Sequence, residues 1–96
     1  MTAQIESARV TVYWAASRWD AGAESPKDVA VAKLIASEAA VRAASESLRT
    51  FGGYAYIGGE FPIERLYRDS RYYVIVEGTS DVQRLILSRQ LGLRPQ

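Results

Sequence analysis

The sequence predicts an all-α fold, an antiparallel helical hairpin plus two shorter helices within one domain spanning residues 1–96. Three features point there. The stretch from Lys27 to Phe51 runs without proline or glycine and is rich in alanine, the best helix former. Apolar residues elsewhere recur at three- and four-residue spacings, the period of a helix face. The one β-like run, "YVIV" at residues 73–76, has no second strand to pair with.

The first helix is expected over residues 3–20. Ile5, Ala8, Val12, Ala15 and Trp19 fall on one stripe, and Gly22 ends it in the small-residue loop "AGAESP". The second, 27–51, starts with Ser25 as cap, Pro26 at the first helical position and Asp28 three residues after the cap. Val31, Leu34, Val41 and Leu48 lie along one side, with Ala32, Ile35, Ala36, Ala39 and Ala43 beside them. A helix this apolar around its circumference needs neighbours on more than one side. Gly52 and Gly53 stop it.

Residues 52–61, "GGYAYIGGEF", hold four glycines and predict a loop with tight turns. Pro62 opens a third helix over 62–73, which runs into an extended connector through "YVIV". Ser80 caps the last helix, 80–91, with Gln83 completing a capping box. Val82, Leu85, Ile86 and the stem of Arg89 are expected to face inward. Gly92 stops this helix, and the tail "LRPQ" is expected to fray.

Composition narrows the chemistry. The chain is 48 % hydrophobic and 24 % charged, with a formal net charge of +1. That balance fits a globular domain and gives no general attraction to nucleic acid or acidic lipid. With no cysteine and no histidine, disulfides, thiolate chemistry and the usual zinc ligands are excluded, so no metal site is expected. Acid–base work falls to carboxylates, tyrosines or lysine. No apolar run approaches the ~18 residues of a membrane span, and the N-terminus lacks the pattern of a signal peptide; a cytoplasmic location is expected. A chain of 96 residues buries only about 60 to 65 % of its unfolded surface, which leaves it marginal without a partner.

Glu77 stands out, a carboxylate between a β-branched run and the turn that starts the last helix. On local context alone it reads first as a structural charge that neutralises the N-terminal end of the last helix. Arg65, Arg68, Asp69 and Arg71 read as an anion site or, more simply, as a solvated or inter-helix salt-bridge network. Gly52 and Gly53 read as a phosphate cradle or a C-cap. Trp14, Trp19 and the six tyrosines read as packing or interface residues.

Three longer stretches carry a resemblance. "AKLIASEAA" (32–40), "FGGYAY…EFPIERLYRDSR" (51–71) and "EGTSDVQRLILSR" (77–89), in this order and spacing, resemble the C-terminal end of the acyl-CoA dehydrogenase family of flavoenzymes. "ESARVTVYWAASRWDAG" is similar to the helix before them. The resemblance implies the second half of that family's C-terminal four-helix bundle. It implies FAD-dependent α,β-dehydrogenation of an acyl-CoA thioester, with Glu77 as the base that removes the α-proton. A carboxylate suits the task because that proton becomes acidic once the carbonyl is polarised. Gly78 matches the glycine that lies against the substrate. Thr79, Ser80 and Asp81 match a segment contacting FAD, where hydroxyls and free helix N–H groups suit phosphate oxygens. Arg49, Gly52 and Gly53 fall in a segment that meets the adenine end of a neighbouring subunit's FAD. Arg49 stands where a glutamine is usual, Ala55 where a glycine is, and Asp81 where a glutamine or glutamate is frequent. The loop to Glu60 and Pro62 is one residue longer.

Two functions compete on this reading. The chain is either the C-terminal portion of such a flavoenzyme, inactive by itself, or a non-catalytic helical oligomerisation module descended from that bundle. Both imply a homo-oligomer or a partner chain; in the first, that chain supplies the rest of the flavoenzyme and acyl-CoA is bound once assembled. Both exclude nucleic acid and a membrane span.

Overall fold

The computed structural model describes residues 1–57 and 61–93; Gly58, Gly59 and Glu60 of the glycine-rich loop and Arg94–Gln96 of the tail lie outside the described residues. Four helices follow one another: α1 (Thr2–Arg18), α2 (Pro26–Phe51), α3 (Ile63–Tyr73) and α4 (Ser80–Gln90). Their ends lie within two residues of the expected spans. Among the described residues there is no strand.

Local chemistry explains each end. Past Arg18 the chain widens into one π turn, Trp19–Ala23, that closes with Gly22 at φ 91°, a conformation glycine adopts without steric cost. Ser25 caps α2, its hydroxyl accepting from Asp28 N at 3.3 Å, and Pro26 occupies the first turn. Gly52 leaves α2 at φ 61°, and the chain tightens into a 3₁₀ turn, Gly52–Tyr56, rather than an irregular loop. Phe61 packs against Phe51 and Tyr54, with ring centroids 5.3 and 6.0 Å apart, which ties the start of α3 to the end of α2.

The helix α2 is the hub: α1, α3 and α4 each pack on it and not on one another. Met1 lies beside Ser47 and Arg18 beside Asp28, so α1 and α2 form an antiparallel hairpin. Their contact involves small residues: Ala8 and Ala15 of α1 are buried, and Ala15 lines one groove with Ala32 of α2. From α3, Ile63 and Ser70 are buried one above the other. Among the described residues no large side chain is completely buried. The result is thin, 47 × 34 × 20 Å, about two helix diameters deep. Its radius of gyration, 16.0 Å, exceeds the ~12.5 Å of a compact domain of this length.

Several inward-facing assignments differ from the structure. Ala8 and Ala15 of the α1 stripe are buried, while Ile5, Val12 and Trp19 on the same stripe are 39–47 % exposed. On α4, Gln83 faces α2 with Ile86 and Leu87 half-buried behind it, whereas Val82, Leu85 and Arg89 are exposed. The reason is common to both: one layer of neighbours covers only a narrow strip of each helix. Trp14 and every tyrosine except Tyr67 are exposed as well. They pack no core.

The α3–α4 connector also departs from expectation. It is turned, not extended: Val74 stays in the helical region, and Ile75 N and Val76 N both donate to Tyr72 O. The cap of α4 is Thr79, whose hydroxyl accepts from Val82 N at 3.1 Å; Ser80 is the first helical residue. Gln83 forms no capping box. Its amide reaches back past the helix end to Gly78 O.

Candidate functional site

The connector that carries Glu77 is tied down at both ends. Lys33 of α2 donates to Tyr73 O at the C-terminus of α3, where a cation also suits the helix dipole. Ser80 N donates to Val74 O at 3.1 Å, closing residues 74–80 into a loop. Thr79 caps the helix beyond it, and Gln83 Nε2 donates to Gly78 O at 3.3 Å. Between these ties, Glu77 adopts φ 57° and Gly78 φ 95°. Glu77 is the only non-glycine residue among those described with φ in the left-handed region, a position that costs energy and that the flanking bonds must impose. Its side chain is exposed.

Gly78 has two local reasons to be glycine. One is its φ; the other is Gln83, because a Cβ at position 78 would collide with the Gln83 side-chain amide. The space beside this glycine is therefore filled from within the chain.

Two grooves flank the connector and the end of α2. The larger, about 680 Å³, is lined by α2 residues including Arg42, Glu46 and Arg49, by Arg71 and Val74, and by Thr79, Ser80 and Asp81. Arg49 thus shares a surface with the start of α4, although 30 residues of sequence separate Arg49 from Thr79. Of the groove's carboxylates, Glu38 and Asp81 both meet Arg84, at 3.0 and 3.5 Å. Arg42, Arg49 and Arg71 have no carboxylate within ion-pair distance among the described residues. Ser80 Oγ is buried without a hydrogen-bond partner. The second groove, about 570 Å³, takes in Arg49, Gly52, Ala55, Tyr56 and Tyr67.

The structure therefore joins Arg49 with Thr79, Ser80 and Asp81. Gly52 sits at the shared end of the second groove. Gly53 is exposed, with open space where a Cβ would stand. Glu77 and Gly78 line neither groove. The Arg65–Arg71 cluster is solvated: its one ion pair among the described residues is Arg68–Glu64, within α3 at 2.8 Å. Sequence reasoning passed over Arg42 as a groove residue and Lys33 and Gln83 as ties of the connector. An i,i+7 count from Arg42 to Arg49 puts both arginines on one helix face and was the available signal for the first. Among the described residues there is no metal-ligating cluster, and no helix is long and apolar enough to cross a membrane.

Comparison with known proteins places this arrangement. The family model described as acyl-CoA dehydrogenase, C-terminal domain, matches residues 1–92. An acyl-CoA dehydrogenase of Bacillus subtilis strain 168 is 43 % identical over 91 residues, covering 95 % of this chain and 24 % of its own length. The solved butyryl-CoA dehydrogenase of Megasphaera elsdenii superposes with a TM-score of 0.90 at 41 % identity, over 95 % of this chain and 24 % of that one. The FAD complex of PigA superposes with a TM-score of 0.93 at 35 % identity, over 99 % and 24 %. This chain spans about a quarter of the length of the relatives it matches. By the family model over residues 1–92 and by its helical architecture, the chain belongs to the acyl-CoA dehydrogenase family, in the part that forms its C-terminal domain.

Proposed function

We propose that this chain works as the C-terminal portion of a flavoenzyme of the acyl-CoA dehydrogenase type, with Glu77 as the base that takes the α-proton of an acyl-CoA thioester. The observation that carries the reading is the backbone at Glu77. A carboxylate held at φ 57° in a tied-down turn and left open to solvent is strain without a structural return within the chain. Such outliers gather at functional sites.

The residues present fit FAD. The larger groove sets Arg49, which has no carboxylate within ion-pair distance among the described residues, beside Thr79, Ser80 and the N-terminal end of α4, a set suited to phosphate oxygens. In this reading Thr79, Ser80 and Asp81 contact the cofactor at its phosphates, and Arg49, with Gly52 and Gly53 leaving the surface low at the end of α2, meets the adenine end of a neighbouring subunit's FAD. Bound FAD supplies the acceptor for the hydride that leaves the β-carbon. Glu77 accepts the α-proton on a carboxylate oxygen, and Gly78, beside it, faces the thioester. Because Glu77 lines neither groove, neighbouring chain completes the acyl pocket, and the isolated chain is inactive. A homo-oligomer or a partner chain supplies that surface, and the assembled protein is cytoplasmic.

A second reading, a non-catalytic oligomerisation module, draws on the exposed apolar faces of α1 and α4. A chimera separates the two. These residues replace the matching segment of the Bacillus subtilis relative, and oxidation of a saturated acyl-CoA is followed with an artificial electron acceptor. The chimera is expected to turn over, and Glu77→Gln to lower kcat by roughly 10²- to 10⁴-fold. An active chimera indifferent to Glu77→Gln would leave only the module.

A further inference from the structure

Gln83 is 6 % exposed, and its side-chain amide reaches the turn that presents Glu77. Its Nε2 donates to Gly78 O at 3.3 Å, five residues back and beyond the first turn of α4. A polar side chain this buried needs a partner, and the carbonyl it meets belongs to the Gly78–Thr79 peptide, one residue beyond Glu77. The fit is reciprocal: the amide fills the space that a Cβ at Gly78 would occupy. Thr79, the cap, already satisfies Val82 N without help from Gln83. The long amide is therefore not needed to start the helix. What it adds is a fixed orientation for the Gly78 carbonyl, and through Gly78 for the adjoining Glu77, whose φ of 57° is costly for a residue with a Cβ.

We infer that Gln83 is a positioning residue, the hydrogen-bond tether that holds the Gly78–Thr79 peptide and so fixes the Gly78 end of the left-handed turn from which the Glu77 carboxylate is presented. The inference rests on the reading of Glu77 as the base. Its test is chosen to stand or fall separately.

The φ angles of Glu77 and Gly78 are read by NMR from one-bond Cα–Hα and three-bond amide couplings in the full 96-residue chain, without flavin or substrate. The wild type is expected to show positive φ at both residues, with the Gln83 side-chain amide protons protected from exchange and close to Gly78. Gln83→Met keeps the buried volume and removes the donor. Glu77 is expected to leave positive φ in this variant while the contacts of Ile86 and Leu87 with α2 persist. In the chimera, Gln83→Met is expected to lower kcat by about 10- to 100-fold with KM little changed, the signature of a misplaced reacting group.

Positive φ at Glu77 retained in Gln83→Met overturns the inference. Should that variant not fold, wild-type Gln83 amide protons that exchange as freely as those of a solvated amide overturn it as well. A tether seen by NMR beside a neutral Glu77→Gln chimera would remove Glu77 as the base and leave the tether standing. A catalytic Glu77 with unchanged couplings in Gln83→Met would do the reverse.

Discussion

Arg18 and Asp28 form the one ion pair with a buried member among the described residues: the Asp28 side chain is 5 % exposed and the Arg18 side chain 48 %. The pair closes the α1–α2 hairpin at its turn, and the same guanidinium lies 5.3 Å from the Trp14 ring centroid. The asymmetry of exposure makes the two deletions unequal. Arg18→Met strands a buried carboxylate, whereas Asp28→Asn leaves a neutral acceptor facing a cation that water already reaches. Arg18→Met is expected to cost about 1 to 3 kcal/mol and Asp28→Asn less. Urea midpoints of the two variants compare them directly, and equal shifts would contradict the asymmetry.

The start of α4 offers a second contrast between adjacent hydroxyls. Thr79 accepts from Val82 N, so Thr79→Ala is expected to lose about 1 kcal/mol. Ser80 Oγ is buried with no partner, so Ser80→Ala removes an unsatisfied group and is expected to be neutral or mildly stabilising. Thermal unfolding of the pair checks the order. A larger loss at Ser80 would make Ser80 the cap.

Glycines divide in the same way. Gly78→Ala places a Cβ on the Gln83 amide at a φ of 95°, with an expected cost of about 1 to 3 kcal/mol. Gly53→Ala meets open space at an ordinary φ and is expected to stay within ~0.5 kcal/mol. Because part of the first cost is the collision, Gly78→Ala combined with Gln83→Ala is expected to fall short of additivity. Additive losses would mean that the amide does not occupy that space.

Helix ends were legible because local chemistry decides them: Ser25 and Pro26 start α2, and Gly22 and Gly92 close α1 and α4 at φ 91° and 78°. The cap of α4 was not. Thr79 and Ser80 are equally good caps in sequence, and the choice falls to the two left-handed residues before them, which ties from α2 and from within α4 impose. Nothing in a glutamate announces positive φ, so the conformation of Glu77 is visible only in the fold. Periodicity likewise marks Val82 and Leu85 as apolar without saying which neighbour covers them, and within this chain none does: they are 43 % and 38 % exposed. The larger groove was partly legible, since the motifs named Arg49 and Thr79–Asp81, but only tertiary structure brings them to one surface.

The uncovered faces carry the last prediction. The chain exposes 6933 Å², about a quarter more than the ~5,500 Å² expected of a compact monomer of this mass. That excess is of the order a stable protein–protein interface removes from each partner, about 800 Å² or more. Part of the exposed surface is an apolar groove between α1 and α2 lined by Val12, Ala15, Ala16, Trp19, Val29 and Ala32. Apolar exposure of this kind on so thin a fold drives association. The chain is therefore expected to self-associate in a sedimentation dilution series. Val12→Ser with Trp19→Ser, which removes apolar area at positions that pack no internal core, is expected to move the transition to higher concentration by at least tenfold. A wild-type chain that stays a compact monomer throughout, or a double variant that associates as tightly as the wild type, would show that this face is tolerated bare.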